Sequence, residues 1–251
     1  AGWTSSDVVV KLKGVLHQRR VGHAGTLDPM ATGLLTVFAG RATRAVEFAE
    51  AHEKRYTAHL RLGMVTDTQD ITGAVLARND VSVTADDARA VLARFLGEQE
   101  QTPPMYSAIK LNGKKLYEIA RAGGTAERKP RRIRIDALTL IGEDDGDYVL
   151  DVRCSKGTYI RALCDDIGAA LGCGGCMSAL RRTAAGNFTV DAAHTLDEVI
   201  AAANAGEVEK LFIPVDTLFA SYPAWQAGAA AERRIRCGNE VNAAGLADGE
   251  Y

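Results

Sequence analysis

Residues 131–154, RRIRIDALTLIGEDDGDYVLDVRC, constrain the fold more than any other stretch. RRIRIDALTLIG reads as a strand, the polar EDDG as a turn, and DYVLDVRC as a returning strand whose Tyr148, Leu150, Val152 and Cys154 share one face. A chain that doubles back over so short a turn forms an antiparallel hairpin, since a parallel neighbour needs a long crossover. Arg55 to Gly63 is a second half-buried strand, alternating Tyr56, Ala58, Leu60 and Leu62 with Thr57, His59 and Arg61. TDTQDITG then reads as a polar turn before a short strand, AVLAR.

Helical spacing fills the intervals. Thr4 or Ser5 can cap a helix carrying Val8, Val9, Leu12 and Leu16, and Thr84 with Asp87 opens one carrying Ala88, Val91, Leu92, Phe95 and Leu96 before Gly97. KKLYEIARAG predicts a short helix, and Thr158 stands where it can cap another with Ile160, Leu163, Cys164, Ile167 and Leu171 inward and Gly172 at its end. Thr195 and Glu198 open an alanine-rich helix. After Pro214 the texture changes to PVDTLF, SYPAW and RRIRCGNEV, a linker into the start of a second unit. With neither internal repeats nor βαβ alternation, the expected class is α+β around a largely antiparallel sheet.

The 47% hydrophobic and 25% charged composition is that of a soluble globular protein, and no apolar run reaches the roughly 18 to 20 residues of a membrane span. No signal peptide opens the chain, so a cytoplasmic protein with no membrane partner is expected. The chain starts on Ala1 and stops at LADGEY, which reads as a trimmed fragment. Five cysteines without a secretory signal argue for reduced thiols, and the Cys173/Cys176 pair lacks a second pair of ligands, so no metal is expected. The net charge is −2, yet residues 104–134 carry nine cations against Glu118 and Glu127. Such a segment is either a solvated face or the footprint of a polyanion.

VGHAGTLDPMATGLL, residues 21–35, sets His23 and Asp28 in a run of small residues. Asp28-Pro29 can simply start a short helix, and a P-loop is excluded because no Lys-Ser or Lys-Thr follows the glycines. On pattern alone Tyr56 is a core aromatic and Arg161 a surface arginine in the first turn of its helix.

Four separated stretches, GHAGTLDPMATGLL, KRYTAHLRLGMVTDTQD, MYSAIKLNGKKLYEIAR and CSKGTYIRALCDDIGAALG, resemble in order the signature segments of the TruB-type bacterial tRNA pseudouridine-55 synthases, over about residues 1–220. The resemblance implies isomerisation of uridine 55 in the tRNA T-loop. It also implies the pseudouridine-synthase fold, a mixed, mainly antiparallel sheet flanked by helices and loops. Residues 1–213 would be the catalytic domain, with a thumb-like RNA-binding insertion at about 104–132, and residues 214–251 a linker and an incomplete PUA-like domain. A Lys-Pro pair would precede Gly2. The reaction breaks the N1–C1′ bond, turns the uracil and joins C5 to C1′ with all atoms retained, so no cofactor is expected.

By the same resemblance Asp28 is the essential aspartate, a nucleophile on C1′ or C6 or a base at C2′. Arg161 pairs with it, and Tyr56 stacks on the uracil. His23 lies beside the flipped nucleotide, Asp70 near the uracil or its ribose, and Leu180 forms an apolar wall with Tyr159 packed close by. Lys110, Lys114, Lys115, Arg131 and Arg132 would contact RNA. The implied partner is the T-stem-loop of tRNA, with no guide RNA and a monomeric protein. Two rivals stay open: a tRNA-binding or folding protein without chemistry, and a guide-RNA-dependent relative sharing the GTLDP core. The TDTQD and MYSAIK segments favour the stand-alone type.

Overall fold

Thr4 begins the fold. Its hydroxyl accepts from the Asp7 amide at 3.1 Å and its own amide donates to the Asp7 carboxylate at 2.8 Å, the reciprocal cap of helix α1 (Ser5–Val15). Val9 and Leu12 of α1 pack against Val21 of strand β1 (Val21–Ala24). β2 (Thr32–Gly33), β3 (Thr36–Ala39), antiparallel to β1, and α2 (Val46–Ala51) follow. The structure is a computed structural model that describes residues 2–241.

Strand β4 (Lys54–Leu62) is followed by a small hairpin of β5 (Met64–Thr66) and β6 (Val75–Arg78), and then by α3 (Ala85–Leu92) and β7 (Gly97–Gln101). The basic segment holds β8 (Lys110–Leu111), β9 (Lys114–Lys115) and α4 (Leu116–Arg121). β10 (Arg131–Asp144), β11 (Asp147–Cys154), α5 (Ile160–Ala170), β12 (Gly175–Ala185), β13 (Phe188–Thr189) and α6 (Leu196–Asn204) complete the larger unit, Ala1–Phe212. The second unit, Ile213–Tyr251, contains α7 (Ala229–Arg236). Residues 242–251, the tail of the expected PUA-like portion, lie outside the described residues.

The main sheet has seven strands in the order β13-β12-β4-β11-β10-β7, antiparallel throughout, with β2 added parallel beside β12. It is a mixed, mainly antiparallel sheet in an α+β fold. One face carries Tyr56, Ala58 and Leu60 of β4, Leu150 and Val152 of β11, and Ile133, Ile135 and Leu138 of β10, packed against Leu163, Cys164 and Ile167 of α5. Each valine, leucine or isoleucine among them, fully buried, contributes about 1.5 to 3 kcal/mol. Bulges decide which side chains reach this face where strict alternation would not. One between Ile135 and Ala137 returns Leu138 to the core, and one between Met177 and Ala179 turns Leu180 and Arg182 inward, opposite Ala58 and Tyr56.

Four local expectations change. The hairpin turn is only Asp145-Gly146, both with positive φ (47° and 78°), because a two-residue turn of this kind matches the twist of its strands. The chain leaves the helix at Leu92 for a 3₁₀ turn, Ala93–Phe95, so Leu96 is extended and 48% exposed rather than inward. Lys114 and Lys115 belong to a strand, since Asn112-Gly113 (φ 50° and 84°) forms a hairpin turn and delays the helix to Leu116. Thr158 does not cap α5; its hydroxyl donates to the Ser155 carbonyl and Tyr159 takes the cap position. The strand expected at AVLAR does form, as β6, with all four of its residues exposed.

Among the described residues no helix is long and apolar enough to cross a membrane, and no cluster of three or more potential metal ligands occurs. The helix and sheet meet at backbone distance: a Cβ on Gly168 of α5 would lie 2.2 Å from the Gly175 amide nitrogen. Gly168→Ala should therefore destabilise the protein by about 1 to 3 kcal/mol. Gly14→Ala, with open space at the last turn of α1, should stabilise it by about 0.4 to 1 kcal/mol. Urea denaturation midpoints that move in the same direction for both would contradict this packing.

Candidate active site

The loop 25–34 between β1 and β3 carries Asp28. Leu27 and Met30 pack against the core on either side of Asp28, whose side chain is 32% exposed. The Ser5 hydroxyl of α1 accepts from the Leu27 amide at 2.9 Å, and the Ala31 amide donates to the Asp28 carbonyl at 2.9 Å. Only a single turn forms after Asp28, so its carboxylate caps no helix and is free for another partner.

That partner is Arg161, in the first turn of α5. Its Nε donates to one Asp28 carboxylate oxygen at 2.9 Å and its Nη2 to the other at 3.0 Å, a planar fork that fixes the carboxylate's orientation. Nη1 donates to the Thr68 carbonyl at 2.9 Å and Nη2 also to the Tyr106 carbonyl at 2.8 Å. Arg161 is 5% exposed, whereas the Asp28 side chain is 32% exposed. The cation is thus buried while part of the carboxylate faces outward, and the fork takes only one lone pair from each of its oxygens.

Asp70 is the second carboxylate, 3.7 Å from Arg161 Nε and 9% exposed at the side chain. It accepts from the Thr72 amide and the Thr68 hydroxyl, both at 2.9 Å, and from the Thr72 hydroxyl, so the TDTQD turn wraps around it. Gln69 holds φ at 62° and its side-chain amide donates to Asp165, one turn beyond Arg161 on α5. Helix and loop are joined at both points.

Tyr56 is buried on β4, and Leu180 is buried two positions before Arg182 on β12, in the same core cluster as Tyr56. Burial pushes the Tyr56 phenol up to about 12; the Arg182 guanidinium beside it pulls the other way, and the Asp28 charge adds to the rise. The phenol is neutral at pH 7. His23 is half-buried, with its Nδ1 out of water and without a hydrogen-bond partner. Burial lowers its pKa, Glu50 opposes that and Arg182 reinforces it, so the ring is uncharged at pH 7. Tyr159 begins α5, its amide and carbonyl both bound by the Gln101 side chain at 2.8 and 3.0 Å, which ties Arg161's helix to β7. Burial raises the pKa of its phenol.

Sequence pattern did not single out Arg182, the largest of the fully buried side chains at 1% exposed, nor the carbonyls of Thr68 and Tyr106. A charge within the apolar run GCMSAL-R-R was a visible signal for Arg182, but the bulge that turns it inward was not. The basic residues lie on other elements, with Arg131 near enough to Tyr159 for its charge to act on that phenol. Lys110 and Lys114 are exposed on the β8-β9 hairpin, Lys115 and Arg121 both sit 5.3 Å from the Tyr117 ring, and Arg131 and Arg132 are exposed where β10 meets the edge strand β7. Tyr106 connects the two regions through its carbonyl on Arg161 and its hydroxyl on Asp67.

The TruB family pseudouridylate synthase N-terminal domain matches residues 13–160, and the tRNA pseudouridylate synthase B C-terminal domain matches residues 161–220. A tRNA pseudouridine synthase B from Ralstonia pickettii is 46% identical over 244 residues, covering 96% of this chain and 76% of the relative. Its counterpart from Thiobacillus denitrificans is 46% identical over 240 residues, covering 96% and 80%. Among solved structures, a Cbf5-Nop10-Gar1 complex contains a chain that superposes with a TM-score of 0.69 at 29% identity. A H/ACA RNP bound to a substrate RNA containing 2′-deoxyuridine contains one with a TM-score of 0.66 at 27% identity. Each covers 86% of this chain, which spans only 58% and 57% of those chains.

The burial of Arg161 sets a stability test. Arg161→Met strands the Thr68 and Tyr106 carbonyls and leaves Asp28 and Asp70 without their cation, so a loss of about 3 kcal/mol is expected in urea titration. Arg55→Met, which removes a bridge to Asp151 whose arginine side is 55% exposed, should cost about 1 kcal/mol or less. Equal losses would mean that the buried fork carries no special weight.

Proposed function

This chain belongs to the TruB family of pseudouridylate synthases, and from that membership we propose that it isomerises uridine 55 in the T-loop of tRNA to pseudouridine. The enzyme is a pseudouridine synthase, an isomerase, and tRNA is its substrate. The observation that carries the finer reading is the Asp28 carboxylate, clasped from behind by a buried guanidinium and open on its other side.

In this reading the target uridine is flipped out of its loop, which costs a few kcal/mol of unstacking that a stacking partner in the pocket offsets in part. Tyr56 supplies that ring, neutral throughout the working pH range, and Leu180 the apolar wall. Asp28 presents its carboxylate to the glycosidic face of the nucleotide. Arg161 prevents it from rotating and Asp70 holds Arg161, so the reacting group is positioned before substrate arrives. The uncharged His23 ring lies beside the flipped nucleotide, with Tyr159 packed close to the site. The hairpin and helix of residues 104–132, with Lys110, Lys114, Lys115 and the neighbouring Arg131 and Arg132, grip the phosphates of the T-arm. Residues 1–213 form the catalytic domain and residues 214–251 belong to a PUA-like unit.

A guide-RNA-dependent mode has some support from the likeness to chains of H/ACA assemblies. The higher identity to tRNA pseudouridine synthase B relatives favours the stand-alone mode. Tritium release from C5-labelled T-stem-loop, with no guide RNA or other protein, is expected; binding without release would leave only an RNA-binding or folding role.

Asp28→Asn should abolish release while tRNA affinity stays within about tenfold, roughly 1.4 kcal/mol, because binding is spread over many phosphate contacts. A matching loss of affinity in filter binding would make Asp28 structural. Lys114 and Lys115 changed together to Ala should weaken binding and flatten its salt dependence; an unchanged slope would remove them from the RNA surface.

A further inference from the structure

Arg182 stands opposite Tyr56 in the register of β12 and β4, and directly opposed residues of antiparallel strands project from the same face. At 1% exposure it is nearly sealed from water, yet among the described residues it forms no ion pair with a carboxylate. An uncompensated buried guanidinium is costly, and dipoles aimed at it must make up the difference. The dipoles come from the two ends of the loop that carries Asp28. Nε donates to the Leu34 carbonyl at 2.7 Å and Nη2 to the Gly25 carbonyl at 3.0 Å. The main chain completes the link, for the Leu34 amide donates to the Arg182 carbonyl at 2.9 Å.

Both loop ends are shaped around this residue. Gly33 has φ of 96°, and a Cβ there would lie 2.2 Å from the Arg182 carbonyl oxygen. Gly25 has φ of 76°, and a Cβ there would lie 3.2 Å from Arg182 Nη1. Lysine, a point charge on a flexible stem, cannot span two carbonyls in one plane as a guanidinium does.

We infer that Arg182 is a positioning residue for the isomerisation: it clamps both ends of the Asp28 loop to β12 and sets that loop against Tyr56. Arg161 orients the carboxylate, and Arg182 holds the backbone that carries it. The inference rests on Asp28 and Tyr56 being the reacting and stacking groups.

The test uses Arg182→Lys and Arg182→Gln in the full chain, with single-turnover pseudouridine formation, tRNA affinity by filter binding and thermal melting measured on each. A displacement of the carboxylate by about 1 Å lowers the rate by about 100-fold. We expect a loss of that size in the single-turnover rate, with tRNA affinity within about threefold of wild type. The rate effect should also combine with that of Tyr56→Phe to less than the product of the two, because the two residues act on one geometry. A folded variant of either kind that turns over within threefold of wild type overturns the inference. So does a rate loss matched by lost affinity, or a fully multiplicative combination with Tyr56→Phe. If Arg182→Lys does not fold, Arg182→Gln, which keeps a donor without the charge, decides alone; if neither folds, Arg182 is a structural residue and the inference is overturned. An inactive wild type that still binds tRNA would defeat the proposed function itself, which separates the two failures.

Discussion

Removing a guanidinium from water costs several kcal/mol unless its donors are met, and this protein removes that of Arg161 almost completely. The acceptors come from three segments distant in sequence: Asp28 from the first loop, Thr68 from the turn after β5, and Tyr106 from the start of the basic insertion. Satisfying one buried cation therefore assembles the site. The helix that carries Arg161 is fixed in turn by its glycine contact with β12 and by the Gln101 bridge to Tyr159 at its cap.

How much of this was legible in the sequence depended on the range of the interaction. β4, the β10-β11 hairpin and α5 follow from apolar spacing, because their burial is a local property of period two or 3.6. The antiparallel sheet followed from short turns and the lack of crossovers. What pattern missed came from non-local competition or from turn chemistry given too little weight. Asp28 is a good helix cap in isolation, but Arg161, 133 positions away, takes its carboxylate. Asn112-Gly113 turned the start of an expected helix into a strand. The bulge after Met177 reverses the alternation of β12, so Arg182 is inward although simple counting does not say so.

The individual importance of Asp28, Tyr56 and Arg161 entered through resemblance, since pattern alone assigned them ordinary roles. The structure supplies a physical account that pattern could not. Arg161 and Asp28 meet as a bidentate pair, and Tyr56 lies where both the Asp28 charge and the Arg182 guanidinium are felt. The carboxylate is the more exposed member of its pair, the asymmetry that the proposed role of Asp28 requires.

The Tyr106 carbonyl has a mechanical consequence. It belongs to the root of the basic insertion, and the hydrogen it accepts comes from a guanidinium that water hardly reaches. Lifting that root would leave a buried donor unpaired, at about 1 to 3 kcal/mol, so the root resists displacement far more than the exposed hairpin beyond it. The insertion therefore has a fixed fulcrum: its pivot stays fastened to Arg161, whatever position the exposed hairpin beyond it takes.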